Sequence, residues 1–453
     1  MSSATVFALT VFVIAYILMF TIQKLRPVIS VAAAIVFVIA GSLGFFPEFR
    51  YSVIDALTEI DWNVLMMISG TMGTVYLFID SRMPMQLSDF VIARVSSVKW
   101  MVLALSLFAG LISAFVDNVA TVLMIAPVAL AICRRLKISP VPAIICISVS
   151  SNLQGAATLV GDTTSILLAK AANLDFVDFF FTQGKPGMFF VTECGALASA
   201  LIVLWMFRKE NGLITLDDRT YVEDYVPTIL LVLTIVTLIL ASFIPYKDNA
   251  APGQFYKPDI TNGLICLFYF LIGVSREIFM HKNMSLPLRA IREIDYYTLS
   301  LLAGLFVVIG GIRRAGVIDL IGSTLAGLSG DGSRTSVFLV YTVIVWVSVL
   351  LSAFIDNIPY TATMLPVVAV LARELSAAGG MTVNPNLLYF GLLVGATLGG
   401  NLTPIGASAN ITAIGILRRE GYEVSSGTFM KYGVPFTLAA VITGYLLIWF
   451  IWS

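Results

Sequence analysis

Long apolar runs separated by short polar stretches set the pattern of this chain. A helix needs about 20 apolar residues to cross a bilayer. In the first half, runs at about 4–22, 28–46 and 62–79 have that length, and a mixed amphipathic piece follows at about 83–98. The apolar stretch from Lys99 to Leu136 is too long for one crossing and has Asp117-Asn118 at its middle. It reads as a re-entrant hairpin whose two arms meet at Asp117-Asn118-Val119. The run at about 140–170 is interrupted by Ser151-Asn152-Leu153-Gln154-Gly155 and by Gly161-Asp162-Thr163-Thr164-Ser165, which predicts a helix unwound at mid-membrane. A run at about 186–207 closes the half.

The same order then repeats. Runs at about 227–245, 261–275 and 296–312 precede a second hairpin at about 335–376, around Asp356-Asn357-Ile358-Pro359. A second broken helix spans about 386–417, through Gly399-Gly400-Asn401 and Thr403-Pro404-Ile405-Gly406-Ala407-Ser408-Ala409-Asn410, and a last run covers about 433–452. Residues repeat as well as hydropathy. Ser113-Ala114-Phe115-Val116-Asp117-Asn118-Val119 matches Ser352-Ala353-Phe354-Ile355-Asp356-Asn357-Ile358, and Pro127-Val128 matches Pro366-Val367. Asp61 and Gly70 match Asp295 and Gly304, and Thr158-Leu159-Val160-Gly161 matches Thr403-Pro404-Ile405-Gly406. A repeat of this length fixes the fold class. The expectation is an all-α polytopic membrane protein of two repeats, 1–207 and 226–453, joined by a cytoplasmic linker at 208–225 that carries Arg208, Lys209, Glu210, Asp217, Asp218 and Arg219.

Five crossings per half is an odd number, so the two halves are expected to be inverted. With the N-terminus outside, about two thirds of the basic residues fall on the cytoplasmic side, among them Lys24, Arg26, Arg82, Arg134, Arg135, Arg276, Lys282, Arg418 and Arg419, while Arg313, Arg314 and Arg373 fall outside. Both termini are then external, in a cell membrane. The apolar N-terminus lacks the basic lead of a signal peptide and reads as the first crossing.

Composition supports this class. The chain is 58% hydrophobic and 12% charged, against about 25% charged for soluble domains. Lys+Arg and Asp+Glu both number 27, so no charge excess calls for a nucleic acid. The four cysteines are scattered, which offers no disulfide framework or zinc site. The single histidine, His281, falls in a charged connector and reads as a solvated residue. No nucleophile–base pair or cofactor motif points to an enzyme.

The chemistry concentrates at the repeated breaks. An ionisable group at membrane depth costs roughly 2.5–3.5 kcal/mol, so two at matching points require a use. Broken helices in inverted repeats mark secondary transporters, with substrate and ion sites at the midplane. Freed N–H groups attract anions; carboxylates and freed carbonyls attract cations. Asp117, Asn118, Asp162, Asp356 and Asn357 are therefore candidates to bind a cation or proton. Thr121, Asn152, Gly155, Thr158, Gly161, Thr163, Thr164, Thr361, Gly400, Asn401, Thr403, Gly406, Ser408 and Asn410 are candidates to shape the substrate site. Hard oxygen donors suit Na⁺, and the carboxylates equally suit H⁺. The buried stretches offer no fixed Lys, Arg or His, so an anion would rely on helix N-termini, hydroxyls and a co-bound cation. Plainer roles stand beside these. Asn401 and Ser408 can cap helix ends, and Gly395 and Gly399 can serve packing. Glu193 has no counterpart in the other half and reads either as a proton-path residue or as one paired near the interface.

At these motifs the chain resembles the ion transporter superfamily, which holds arsenite permeases, NhaD-type sodium/proton antiporters, the melanocyte P protein and citrate/dicarboxylate carriers. Phe115-Val116-Asp117-Asn118-Val119-Ala120-Thr121-Val122-Leu123, Phe354-Ile355-Asp356-Asn357-Ile358-Pro359-Tyr360-Thr361-Ala362-Thr363-Met364 and Gly406-Ala407-Ser408-Ala409-Asn410 are similar to motifs of the P-protein branch. Thr163-Thr164-Ser165 departs from that branch's Pro-Pro-Asn and leans toward the antiporters. Asp at both tips departs from the Ser of dicarboxylate carriers. The resemblance implies a scaffold, a mobile unit holding both hairpins and both broken helices, a homodimer and an elevator-like shift. The expected function is H⁺- or Na⁺-coupled secondary transport of a small anion or oxyacid. A Na⁺/H⁺ antiporter, an arsenite efflux permease and a passive anion channel remain as alternatives.

Overall fold

The structure is a computed structural model. It describes residues 1–453 except 211, 213–219, 223, 248–253, 281–283, 319, 322–323, 325–332 and 378–382. His281, Lys282, Asp217, Asp218 and Arg219 lie outside the described residues.

The described chain is nearly all helix. The first half runs α1 (Ser3–Thr21), α2 (Arg26–Ser42), the short α3 (Val53–Glu59), α4 (Trp62–Asp80) and α5 (Met83–Ile92). The first hairpin is α6 (Val98–Ser113) and α7 (Asn118–Arg135), and the first broken helix is α8 (Val141–Gly155) and α9 (Thr163–Ala172). A small antiparallel β-ribbon, β1 (Phe181–Thr182) and β2 (Lys185–Pro186), leads into α10 (Met188–Met206). The second half runs α11 (Val226–Ser242), α12 (Thr261–Phe279), the short α13 (Ser285–Arg292) and α14 (Tyr296–Arg314). Its hairpin is α15 (Arg334–Ser352) and α16 (Asn357–Ala377); its broken helix is α17 (Pro385–Leu393) and α18 (Ser408–Arg419); α19 (Ser426–Trp452) ends the chain.

Ten described helices are long and apolar enough to cross a membrane. They differ in membership from the ten crossings read in the sequence. Hairpin arms α7, α15 and α16 reach that length, whereas each broken helix falls into pieces that do not. Apolar side chains such as Ile17, Phe20, Leu197, Leu201, Trp205, Leu240 and Phe450 face outward, where lipid is the matching solvent.

The packing repeats. Helix α4 lies on α12, and α14 lies on α2. Both contacts run through a glycine: a Cβ at Gly70 would sit 2.4 Å from the Cys266 carbonyl carbon, and one at Gly304 would sit 2.7 Å from that of Ser30. Helices α10 and α19 pack on each other, α7 packs on α18, and α16 packs on α9. Asp61 caps α4 by accepting from the Val64 N–H, and Asp295 caps α14 by accepting from Thr298, both at 3.0 Å.

Candidate functional site

The hairpin tips are drawn against the breaks. Thr158 Oγ1 donates to the Ala114 carbonyl, and Thr403 Oγ1 donates to the Ala353 carbonyl. A Cβ on Gly161 would lie 2.6–2.8 Å from the carbonyl oxygens of Gly155, Ser113 and Ala114; one on Gly406 would meet Gly400, Ser352 and Ala353 at 2.6–2.9 Å. Only glycine lets the unwound backbone come this close. The same seam is thus built twice. Thr158, Gly155, Gly161, Gly400, Thr403 and Gly406 hold the tips in place, their hydroxyls and carbonyls facing protein.

A ladder of buried amides ties the halves together. Asn118 Nδ2 donates to Asn152 Oδ1 at 2.9 Å. Asn152 Nδ2 donates to the Thr397 carbonyl at 2.7 Å and to Asn401 Oδ1 at 3.1 Å. Asn401 Nδ2 reaches the Val149 carbonyl at 2.9 Å, and Asn410 takes a 2.5 Å bond from Ser148 while donating to the Gly400 carbonyl at 3.1 Å. Buried polar groups of this kind require such partners. Asn401 therefore binds across the halves, and neither it nor Ser408 makes a side-chain cap. Gly395 and Gly399 lie against Val345 and Val349, a packing role.

Both tips reach one cavity of about 220 Å³, lined by Asp117, Asn118, Asp162, Thr163, Asn357, Ile358, Ser408, Glu293, Asp295 and Thr298, with Val75, Tyr76 and Ile79 of α4. Asp117 Oδ1 accepts from the N–H groups of Val119 and Ala120 at 3.0 and 3.1 Å, so it caps α7 with one oxygen. Asp162 Oδ2 accepts from Thr164 Oγ1 at 2.8 Å and faces Asn357 Nδ2 at 3.5 Å. Thr164 also meets Thr397, hydroxyl to hydroxyl, at 2.9 Å. Thr121 is spent on its own helix, bonding the Asp117 carbonyl. Thr361 Oγ1 is buried with no hydrogen-bond partner among the described residues.

The two tip carboxylates are not equivalent. Asp356 does not line the cavity; its Oδ2 lies 3.2 Å from Arg26 Nη1, and both side chains are buried. Arg26 Nε also bonds the Met19 carbonyl at 3.2 Å. From sequence, Arg26 counts only among the cytoplasmic-side basic residues, and no fixed Lys, Arg or His is expected in the buried stretches; the structure brings this buried cation to the second tip. The side chain opens α2, and the carboxylate of the second tip pairs with it. Asp162 is likewise unmatched, because Ala407 occupies its place in the second half with nearly the same backbone angles. Glu193 is half-buried, and its Oε1 has no partner among the described residues. Arg134 ends α7 in an ion pair with Glu420.

Sequence reasoning missed Glu293 and Asp295 as lining residues. Asp295 had shown itself as the repeat partner of Asp61, but both acids follow a charged connector at 276–292, outside the long apolar runs that drew attention to the tips.

Comparison with known proteins agrees with this architecture. A family model described as citrate transporter, CitMHS, matches residues 16–395. An uncharacterized transporter of Mycobacterium tuberculosis (strain CDC 1551 / Oshkosh) is 30% identical over 457 residues, covering 98% of both chains. The P protein of Homo sapiens is 27% identical over 88% of this chain and 55% of its own length. The solved structure of the YdaH transporter of Alcanivorax borkumensis superposes with a TM-score of 0.60 at 15% identity, covering 94% of this chain and 98% of that one. That of Neisseria gonorrhoeae MtrF gives 0.55 at the same identity over 94% of each. A multi-pass membrane transporter is the class that fold and comparisons define. The chain belongs to the citrate transporter family, within the ion transporter superfamily.

Proposed function

We propose that this chain is a secondary active transporter, coupled to H⁺ or Na⁺, that moves a small anion or oxyacid by alternating access. One observation carries the reading: Asp117, Asp162, Glu293 and Asp295 share a cavity with both hairpin tips, and no Lys, Arg or His is among the described residues lining it. A space of that charge favours a cation, and a cation bound there offers an anion its counter-charge. Four helix N-termini, at Asn118, Thr163, Asn357 and Ser408, lie beside it. The N–H groups of Val119, Ala120 and Ile358 are taken by Asp117 and Asp356, so the starts at Thr163 and Ser408 are the ones to meet an oxyanion. Asp356, neutralised by Arg26, acts on this reading as an anchor of the second tip. The elevator-like shift, a homodimer, external termini and placement in the cell membrane belong to the same proposal.

Proteoliposomes carrying an imposed pH or Na⁺ gradient test it. Saturable, gradient-driven uptake is expected for a member of a carboxylate and oxyanion panel headed by citrate, the substrate class in the family's description. Flux that does not saturate would instead indicate a channel. Asp117→Asn keeps the helix cap, since Asn caps as well as Asp, and is expected to lower coupled uptake to the level of empty liposomes with the fold intact. A second reading, Na⁺/H⁺ exchange through Asp117 and Asp162, is favoured by the all-acid lining. It predicts Na⁺-dependent proton movement in everted vesicles with no solute present.

A further inference from the structure

A second cavity, of about 780 Å³, lies at the other end of the same interface. Helices α4 and α14 run antiparallel. The first cavity touches Ile79 near the end of α4 and Asp295 at the start of α14; the second touches Asp61 at the start of α4 and Arg313 at the end of α14. Opposite them, α9 and α16 run from one cavity to the other, from Thr163 to Lys170 and from Asn357 to Arg373. The cavities are also related by the repeat: Asp295, Thr298 and Leu123 in the first correspond to Asp61, Val64 and Ala362 in the second. The first reaches the hairpin tips. The second stops at Ala362, one residue past Thr361, whose buried hydroxyl has no partner among the described residues.

The second mouth differs in one contact. Lys170 Nζ, on α9, lies 3.5 Å from Asp61 Oδ2, on α4. Asp61 Oδ1 meanwhile caps α4, which holds the carboxylate in place and leaves Oδ2 to the lysine. The pair joins the helix that carries Asp162 to a helix of the opposite wall. The repeat places Gly415 where Lys170 stands, and a Cβ there would meet nothing within 4 Å. The first mouth therefore has the acid, Asp295, without the lysine. Among the other charged described residues of the second cavity, Glu59 lies 3.4 Å from Arg313, with Asp259 and Arg373 beside them in the lining.

We propose that Lys170 and Asp61 form the latch that keeps the second mouth from reaching the tips. The proposal rests on the alternating-access reading above and adds the residues that bias it. Lys170 is 46% exposed at its side chain, so the pair is weak enough to break in each cycle.

The test reads access to Thr361→Cys in a Cys194→Ser background, because Cys194 is the exposed native thiol among four. Membrane vesicles are treated with a membrane-impermeant maleimide, and the labelling rate is measured. Lys170→Gln and Asp61→Asn, the latter retaining the cap, should each speed labelling by up to about fivefold, the range open to an exposed pair. The double variant should be no faster than either single one, as coupled partners require. Lys170→Arg should label as slowly as the parent. Unchanged rates in the single variants, or effects that multiply in the double, would overturn the latch. The assay needs no solute or gradient. Accelerated labelling in a protein that transports nothing would thus support the latch and refute the coupling assignment alone.

Discussion

Among the carboxylates, the sequence pattern distinguishes Asp117 and Asp162 by their depth in apolar runs, and the structure sets both against one cavity. It cannot distinguish Asp356 from Asp117, because the difference is made by Arg26, a residue 330 positions away that looks like an ordinary cytoplasmic anchor. For the threonines the sequence shows hydroxyls that suit a ligand site but not their partners: Thr158 and Thr403 are both bonded to hairpin carbonyls. The Arg26 pairing changes what substitution at the second tip should do. Removing one partner of a buried ion pair strands the other and costs about 3–5 kcal/mol. Asp356→Asn should therefore lower the melting temperature in detergent markedly, unlike Asp117→Asn. Arg26→Met combined with Asp356→Leu should recover most of that stability, since an apolar pair can replace a buried ionic one. A full melting temperature in Asp356→Asn alone would show the pair to be dispensable.

The helices were largely legible because each long one is an apolar run with polar ends. The boundaries of α2, α4, α12 and α14 fall within a few residues of the hydropathy reading. The short α3 and α13 and the β-ribbon were not legible: none has the length of a crossing, and their polar residues resemble connectors. The second break also begins earlier than Gly399, in a π-turn at Val394–Leu398, where Thr397 is the one polar side chain in an otherwise apolar run. At the breaks the glycine contacts make a sharp contrast. Gly161→Ala or Gly406→Ala would push a methyl group into three backbone carbonyls, and overpacking of this kind costs about 1–3 kcal/mol. Each should lower thermal stability and transport together. Gly415→Ala meets open space inside α18 and should instead raise stability by up to about 1 kcal/mol, the helix-propensity difference. Equal melting shifts for Gly161→Ala and Gly415→Ala would contradict the close approach.

For the molecule as a whole, the repeat supplies two related mouths, and single substitutions set them apart. Gly415→Lys would put a lysine at the repeat equivalent of Lys170, and on the repeat argument it should pair with Asp295 at the first mouth. Labelling of Leu123→Cys, which lines that mouth, is expected to slow; an unchanged rate would mean that the repeat equivalence does not extend to this position. Ala407 in the place of Asp162 has a different consequence. The two halves close on their shared space with unlike hands, a carboxylate from one and a bare methyl from the other. A cargo with two dissimilar ends is then expected to sit in one orientation, its more cationic or protonated end toward Asp162, and Asp162→Ala should weaken that preference.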